Sequence, residues 1–375
     1  MKNTFGNSIT LTIFGESHGE GIGVVADGLC SGLPVDEAEI ARLLSRRRPS
    51  GADATARREP DDFRIVSGVY NGKTTGTPLC ILIPNVDRRS GDYKAMAGVA
   101  RPSHADFAAH CRYGGFEDAR GGGHFSGRVT TGLVAAGAIF EQILSAHGIR
   151  IGTHIKSCQS ICDRDFNWDA LEVDLAALDS PAFPVLDAES GARMTKLIED
   201  AASRGDSVGA VLETAISGLP AGIGEPYFDS VESEIAHLAF SIPAVKGIEF
   251  GTGFGFAGMR GSEANDAFRM TPQGAVVTAT NHNAGVNGGI ANGMPGVFRT
   301  AVKPTPSIYK QQDTVDYLAK KDAQLSIQGR HDPCIVPRAA IVQTCTAALA
   351  VGDLLTARYG EAWMTHPTSF RKEDE

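Results

Sequence analysis

The chain has 375 residues, 42% of them apolar and 21% charged, with a formal net charge of −9. That length allows one large domain or two ordinary ones, and the acidic balance excludes a general nucleic-acid or membrane-surface binder, which presents a basic face over much of the molecule. With so acidic a balance any anionic ligand must meet a local cluster of basic side chains, and the seven cysteines, scattered from Cys30 to Cys345, form neither a disulfide framework nor a zinc pattern.

Near the start, Ile9, Leu11 and Ile13 alternate with Thr10 and Thr12. This predicts a half-buried strand. It runs into Phe14-Gly15-Glu16-Ser17-His18-Gly19, where a histidine in a glycine-rich loop is placed to exchange a proton with a bound molecule. A second strand is predicted over 23–27. After Pro34, an amphipathic helix over 36–44 carries its acidic residues first and its arginines last, and it delivers Arg46, Arg47 and Arg48 to a loop containing Arg57 and Arg58. A solvated charge run is the competing reading of these arginines.

Residues 63–87 read as strands and turns. From Arg88 to Gly123 periodicity is weak and polar chemistry dense, as in Arg101-Pro102-Ser103-His104-Ala105-Asp106 and Arg120-Gly121-Gly122-Gly123-His124. A stretch of that length without a clear element marks a functional loop. Helices are predicted over 127–147 and 338–355, apolar on all sides and hence buried on all sides. Glu141 and Asp353 interrupt them, so neither is expected to span a membrane. No signal segment is evident at the N-terminus, and a cytoplasmic location is expected. Further strands are predicted over 149–156, 208–216, 247–256, 275–280 and 297–302.

The sequence also repeats itself. Gly205-Asp206-Ser207-Val208-Gly209 is followed by Gly218 and Leu219 at the spacing that separates Gly19 from Gly28 and Leu29, and Glu234–Leu238 echoes Glu39–Leu43. The expected fold is therefore α/β (α+β): a single domain over 1–360 with two similar halves, about 8–150 and 200–350, whose helices pack between two sheets, followed by a polar tail over 361–375. Ordinary alternation of strand and helix is the runner-up. Val208 stands where His18 stands in the first copy, so the glycines are architectural and His18 is the candidate for chemistry.

Three more polar segments fall between the later elements. The Asn281–Gly289 loop offers backbone N–H groups to an anion. Lys303-Pro304-Thr305-Pro306-Ser307 forms an extended turn. Gly329-Arg330-His331-Asp332-Pro333-Cys334 precedes the second buried helix, where Arg330 and Asp332 can hold an anion and take a proton; a turn-forming Asp-Pro is the alternative for Asp332. No phosphate-loop motif, no GxGxxG opening a helix and no metal-ligand spacing is present, and no catalytic metal is expected.

Taken together, Phe14–Gly19, Arg46-Arg47-Arg48-Pro49 with Arg57-Arg58-Glu59-Pro60, Arg101–Asp106 and Gly329–Cys334 resemble the chorismate synthase family, with support from Ala244–Glu249 and Lys303–Pro306. The resemblance implies a sandwich of helices between sheets, usually a homotetramer, and the 1,4-elimination of phosphate from 5-enolpyruvylshikimate 3-phosphate to give chorismate, with reduced FMN required and no net redox change. It implies that His18 protonates the departing phosphate, that His104 stabilises the reduced flavin by protonation and that Asp332 helps to carry the proton at the flavin N5. Ser17, Arg47, Arg57, Arg128 and Arg330 would bind substrate. Flavin contacts would fall to His124, Phe125, Ser126, Pro243, Ala244, Gly288, Lys303, Pro304, Thr305, Pro306, Ser307 and Arg330. This chain departs from the usual family pattern at His124, Phe125 and Val129, and at Pro243.

Overall fold

In β2 (Thr10–Gly15) and β3 (Gly21–Asp27) every second side chain faces inward, as the period of two requires: Leu11 from the first, and Ile22, Val24 and Ala26 from the second, are all at most 2% exposed. The computed structural model describes residues 3–48, 60–86, 98–327 and 332–366. Ahead of β2 lies the short β1 (Thr4–Phe5). After β3, Asp36 caps α1 (Glu37–Arg47), its Oδ1 accepting from the Ala38 and Glu39 amides at 2.9 and 3.3 Å, and the helix runs from acidic to basic as its dipole favours. Next come β4 (Arg64–Ser67), a small hairpin of β5 (Val69–Tyr70) and β6 (Lys73–Thr74), and β7 (Leu79–Pro84). The first sheet has the order β1-β2-β3-β7-β4. Two helices follow, α2 (Asp106–Tyr113) and α3 (Thr130–Ala146).

The second half opens with β8 (Arg150–Cys158) and β9 (Ile161–Cys162), then α4 (Leu171–Ala177), α5 (Ala188–Ser203), β10 (Ala210–Ser217), α6 (Val231–Ala239) and β11 (Val245–Phe250). A short α7 (Gly261–Ala264) leads to the hairpins β12 (Phe268–Met270)/β13 (Val276–Thr278) and β14 (Val286–Asn287)/β15 (Ile290–Ala291). The chain then forms β16 (Gly296–Val302), the hairpin β17 (Gln312–Asp316)/β18 (Lys321–Leu325) and α8 (Val336–Tyr359). The second sheet runs β9-β8-β10-β16-β11, which matches the first strand for strand when β8 is set on β2, β10 on β3, β16 on β7 and β11 on β4. In the same alignment α6 takes the place of α1, and α8 that of α3.

Between the sheets α3 packs on α8; α3 also meets β3, and α8 meets β8 and β10. Small residues make this close approach possible. A Cβ at Gly137 would run into Cys345 of α8 and stand 2.7 Å from its carbonyl oxygen, and one at Gly352 would lie 2.5 Å from Phe140 Cε1. Gly137→Val is therefore expected to force the helices apart at a cost of about 1–3 kcal/mol or more. Thermal unfolding checks this, with Gly137→Ala giving a smaller loss; an unchanged melting temperature for the valine variant would contradict the packing.

The structure corrects several expectations. The first buried helix begins only at Thr130, after short 3-10 turns over Gly123–Phe125 and Gly127–Val129, where the glycines break the regular helix. The stretch expected to lack an element contains α2, hidden from periodicity because Ala109 is its one buried side chain. Strand β11 ends at Phe250, and a 3-10 turn over Gly253–Gly258 replaces its expected continuation. Two helical segments, Gly127–Ala146 and Val336–Tyr359, are in fact long and apolar enough to cross a membrane, but 78% and 100% of their most apolar windows are buried inside the protein. The packed body also extends past residue 360: Trp363 is 1% exposed, donates from Nε1 to Thr356 Oγ1 at 2.9 Å and packs edge-on against His147.

Candidate active site

Where β2 ends, the chain is stitched to the second glycine-rich loop. The Ser17 amide donates to the Gly123 carbonyl at 3.0 Å, and His124 Nδ1 donates to the Gly15 carbonyl at 2.8 Å, which leaves its Nε2 side for a ligand. Asn85, just past β7, holds the turn from the other side by donating to the Glu16 and Gly19 carbonyls at 2.9 and 3.1 Å. His18 is thereby fixed, 6% exposed, with Nδ1 3.0 Å from Ser17 Oγ. Its ring lies so close over Gly121 that an added Cβ there would stand 2.6 Å from Nδ1. The glycine run at 121–123 is thus a seat for the histidine.

Beside this turn three guanidinium groups share one carboxylate. Asp61, 2% exposed, pairs with Arg128 and lies 3.9 Å from Arg47 Nη2 and 3.7 Å from Arg48 Nε. Arg47 and Arg128 are 4% and 5% exposed. Arg47 also donates to the Gly127 carbonyl at 3.2 Å, and Arg128 to Asn85 Oδ1 at 3.1 Å. Buried guanidinium groups on a cavity wall offer charge-assisted hydrogen bonds to an anionic ligand.

A third group comes from the loop before α2. Arg101 forms a forked pair with Asp106 at 2.8 and 2.6 Å and reaches the Gly121 carbonyl at 2.7 Å, tying this loop to the seat of His18. His104 Nδ1 donates to the Pro102 carbonyl at 3.2 Å, so its Nε2 accepts from the Ser307 hydroxyl at 2.9 Å. Burial, and then the positive charge of Arg101, push the His104 pKa down to about 4, with Lys303 adding to the effect. Lys303 itself donates to the Ser103 carbonyl at 2.7 Å, and burial followed by the charge of Lys246 lowers its pKa. With no ligand beside it, the lowered pKa favours the neutral ring at neutral pH. An anion beside it would reverse that.

Asp332 is held by Arg338 of α8, whose Nε also donates to the Arg47 carbonyl at 2.9 Å, so the aspartate and arginine clusters share one anchor. His18, Asp61 with its three arginines, His104, Lys303 and Asp332 line one cavity of about 950 Å³. Its wall includes Ser17, His18, Arg47, His104, His124, Phe125, Ser126, Arg128, Pro243, Ala244, Lys303, Thr305, Pro306, Ser307 and Asp332. Ala244 is in the left-handed region at φ +76°, and its carbonyl accepts from the Lys303 amide at 2.9 Å. Thr305 Oγ1 is shielded from solvent without a hydrogen-bond partner. An unmatched hydroxyl and the Lys303 ammonium on one wall with apolar Pro243, Ala244 and Phe125 suit a ligand that is part apolar and part anionic.

Gly288 lies in the β14–β15 turn and Pro304 in the Lys303–Ser307 turn, and neither is part of the cavity wall. Arg57 and Arg330 lie outside the described residues. Sequence reasoning missed Asp61, Asn85 and Arg338. Asp61 and Asn85 sit in no motif, and their only signal is a carboxylate shortly after an arginine-rich loop and an amide directly after a strand.

An α+β sandwich whose two halves close around one cavity of arginines, histidines and a carboxylate defines a metabolic enzyme acting on a small anionic molecule. The family model described as Chorismate synthase matches residues 9–356. Proteins named chorismate synthase from Aeropyrum pernix and Methanosarcina mazei are each 44% identical to it, covering 95% and 94% of this chain and 93% and 95% of their own. The one from Chitinophaga pinensis is 45% identical over 94% of this chain and 96% of its own. A solved structure described as a crystal structure of chorismate synthase superposes with a TM-score of 0.74 at 26% identity, covering 95% of this chain and 94% of that one. The chain belongs to the chorismate synthase family. It is a carbon–oxygen lyase of aromatic amino-acid biosynthesis, and its activity is the formation of chorismate.

Proposed function

We propose that this cavity carries out the 1,4-elimination of phosphate from 5-enolpyruvylshikimate 3-phosphate with reduced FMN bound beside the substrate. The observation that carries the reading is the meeting of Arg47, Arg48 and Arg128 around Asp61 on the cavity wall that also holds His18: basic side chains adjoin a proton donor. The substrate has two carboxylates and a phosphate, which a wall of arginines suits. Reduced flavin supplies electron density that assists departure of the phosphate, with no net redox change.

The chain's own residues do the rest. Arg47 and Arg128, together with Arg57 and Arg330, hold the anionic groups, and Ser17 orients His18. His18 gives a proton to the departing phosphate oxygen. Asp332, steadied by Arg338, takes up the proton released from the ring. His124, Ser126, Lys303, Thr305 and Ser307 would hold the cofactor's polar groups, with Phe125, Pro243, Ala244 and Pro306 shaping its surroundings. We take the active form to be a cytoplasmic homotetramer; the exposed Tyr227, Phe228, Phe254 and Met270 supply apolar surface for such an assembly.

The reading is tested anaerobically by following phosphate and chorismate together. One phosphate per chorismate, dependent on reduced FMN that is not consumed, is the expected result. Ligand binding with no turnover on long incubation would instead make the protein a non-catalytic binder of flavin or of a polyanionic metabolite.

The depressed pKa of His104 gives a separate prediction. Held near 4, the ring is neutral at pH 7, and an anionic reduced flavin draws a proton onto it. Calorimetry in buffers of different ionisation enthalpy is expected to show proton uptake on flavin binding, lost in His104→Gln. Equal uptake by the variant would assign the proton elsewhere. For stability the sign follows from the lowered pKa: the unfolded chain binds the proton first, so this residue makes the fold less stable as pH falls from about 6.5 to about 4.

A further inference from the structure

Asn85 is 1% exposed and is not itself part of the cavity wall, yet its side chain touches two working parts of the site. The turn that carries His18 runs from Glu16 to Gly19. It is closed by the Gly19 amide donating to the Glu16 carbonyl at 3.1 Å, which puts Ser17 and His18 at its two central positions. Asn85 Nδ2 donates to the first and last carbonyls of that turn, Glu16 at 2.9 Å and Gly19 at 3.1 Å. Its Oδ1 accepts from Arg128 Nε at 3.1 Å. One planar amide therefore bridges the turn of the proton donor and an anion-holding guanidinium.

Only one orientation of that amide works. Turned over, its oxygen would face two carbonyl oxygens and its NH2 would face the Arg128 Nε–H, so like would meet like at every contact. The frame behind it is firm. Asn85 directly follows β7, whose Ile81 and Ile83 are fully buried, and its own amide donates to the Glu20 carbonyl at 3.1 Å, continuing the β3–β7 pairing. Arg128 is held at Nη1 by Asp61, and its Nη2 reaches the Pro84 carbonyl at 3.4 Å.

We propose that Asn85 is a positioning residue for the elimination: it sets the His18 ring relative to Arg128, so that an anionic group drawn onto the arginine arrives within reach of the proton it is to take. This rests on the roles of His18 and Arg128 proposed above. Asparagine suits the place because two donors and an acceptor must leave the same short stem. Aspartate keeps the acceptor towards Arg128 but sets an oxygen against the two carbonyls, and so separates the two duties. A reacting group misplaced by about 1 Å loses about 10²-fold in rate.

The test compares Asn85→Asp with wild type in the full-length protein. kcat is expected to fall about 10- to 100-fold with KM nearly unchanged, because the contact with Arg128 survives; Asn85→Ala, which gives up both contacts, is expected to lower kcat and raise KM together. In a His18→Ala background Asn85→Asp should cost almost nothing further, since it acts through the ring, whereas a general loss of packing would add its full cost there too. Histidine-labelled protein gives a reading that needs no turnover. The His18 ring signal, identified by its loss in His18→Ala, is expected to shift in Asn85→Asp, while that of His154, held between Asp163 and Glu213 at 2.7 and 3.0 Å, stays in place. Full additivity with His18→Ala, a loss carried by KM, or an unmoved His18 signal would overturn the proposal. If Asn85→Asp does not fold, Asn85→Ala takes its place in the spectra. Were the wild type to show no elimination at all, the functional reading would fail, and the His18 signal would still decide whether Asn85 sets the ring.

Discussion

His18→Ala is expected to lower kcat for phosphate release about 10²–10⁴-fold, the range that removal of a positioned general acid produces. The side chain is held from three directions, by Ser17 Oγ, by the surface of Gly121 and by the turn that Asn85 pins, so its geometry is set before any ligand arrives. Because its chemistry acts on the departing oxygen, binding of substrate and flavin should change little, and the loss should fall on kcat instead of KM. Steady-state kinetics together with a flavin titration checks this. A loss below tenfold, or one confined to KM, would remove His18 from the proton-transfer role.

Asp61→Ala carries the largest expected effect on the fold. It strips the common carboxylate from Arg47 and Arg128, both buried, and from Arg48 at their edge. Breaking a buried pair from one side costs about 3–5 kcal/mol, because the remaining charge loses a partner that water does not replace. Denaturant unfolding is expected to show that loss. Phosphate or substrate should rescue the variant more than it stabilises the wild type, since an anion then takes over the missing partner's place. Stability within about 0.5 kcal/mol of wild type, the range of an ordinary surface change, would show that the arginines do not depend on Asp61.

What could be read from sequence follows the range of the physical signal. The strands at 10–15, 21–27 and 79–84 announce themselves by alternation, and α1 by its cap and charge order, because these are local patterns. The two central helices are equally plain, but their apolar length also satisfies the requirement for a membrane span, and only the sheets on either side show where that surface is buried. His18, His104 and Asp332 were named because they sit in motifs. Their convergence was not legible, since it depends on contacts such as Arg101 to Gly121 and Arg338 to Arg47, which join segments 20 and 291 residues apart. The neutral state of His104 was hidden for the same reason: it comes from burial and from the charge of Arg101, neither of which is visible along the chain.

The central claim is that His18, Arg47, Arg128, His104 and Asp332 surround one bound substrate and flavin. A crystal structure of the protein with 5-enolpyruvylshikimate 3-phosphate and FMN tests it most directly. The account predicts the phosphate within hydrogen-bond reach of His18, about 2.6–3.2 Å, with Arg47 and Arg128 on the anionic groups and the flavin ring against Ala244 and His104. Ligands seated elsewhere, or a phosphate turned away from His18, would contradict it.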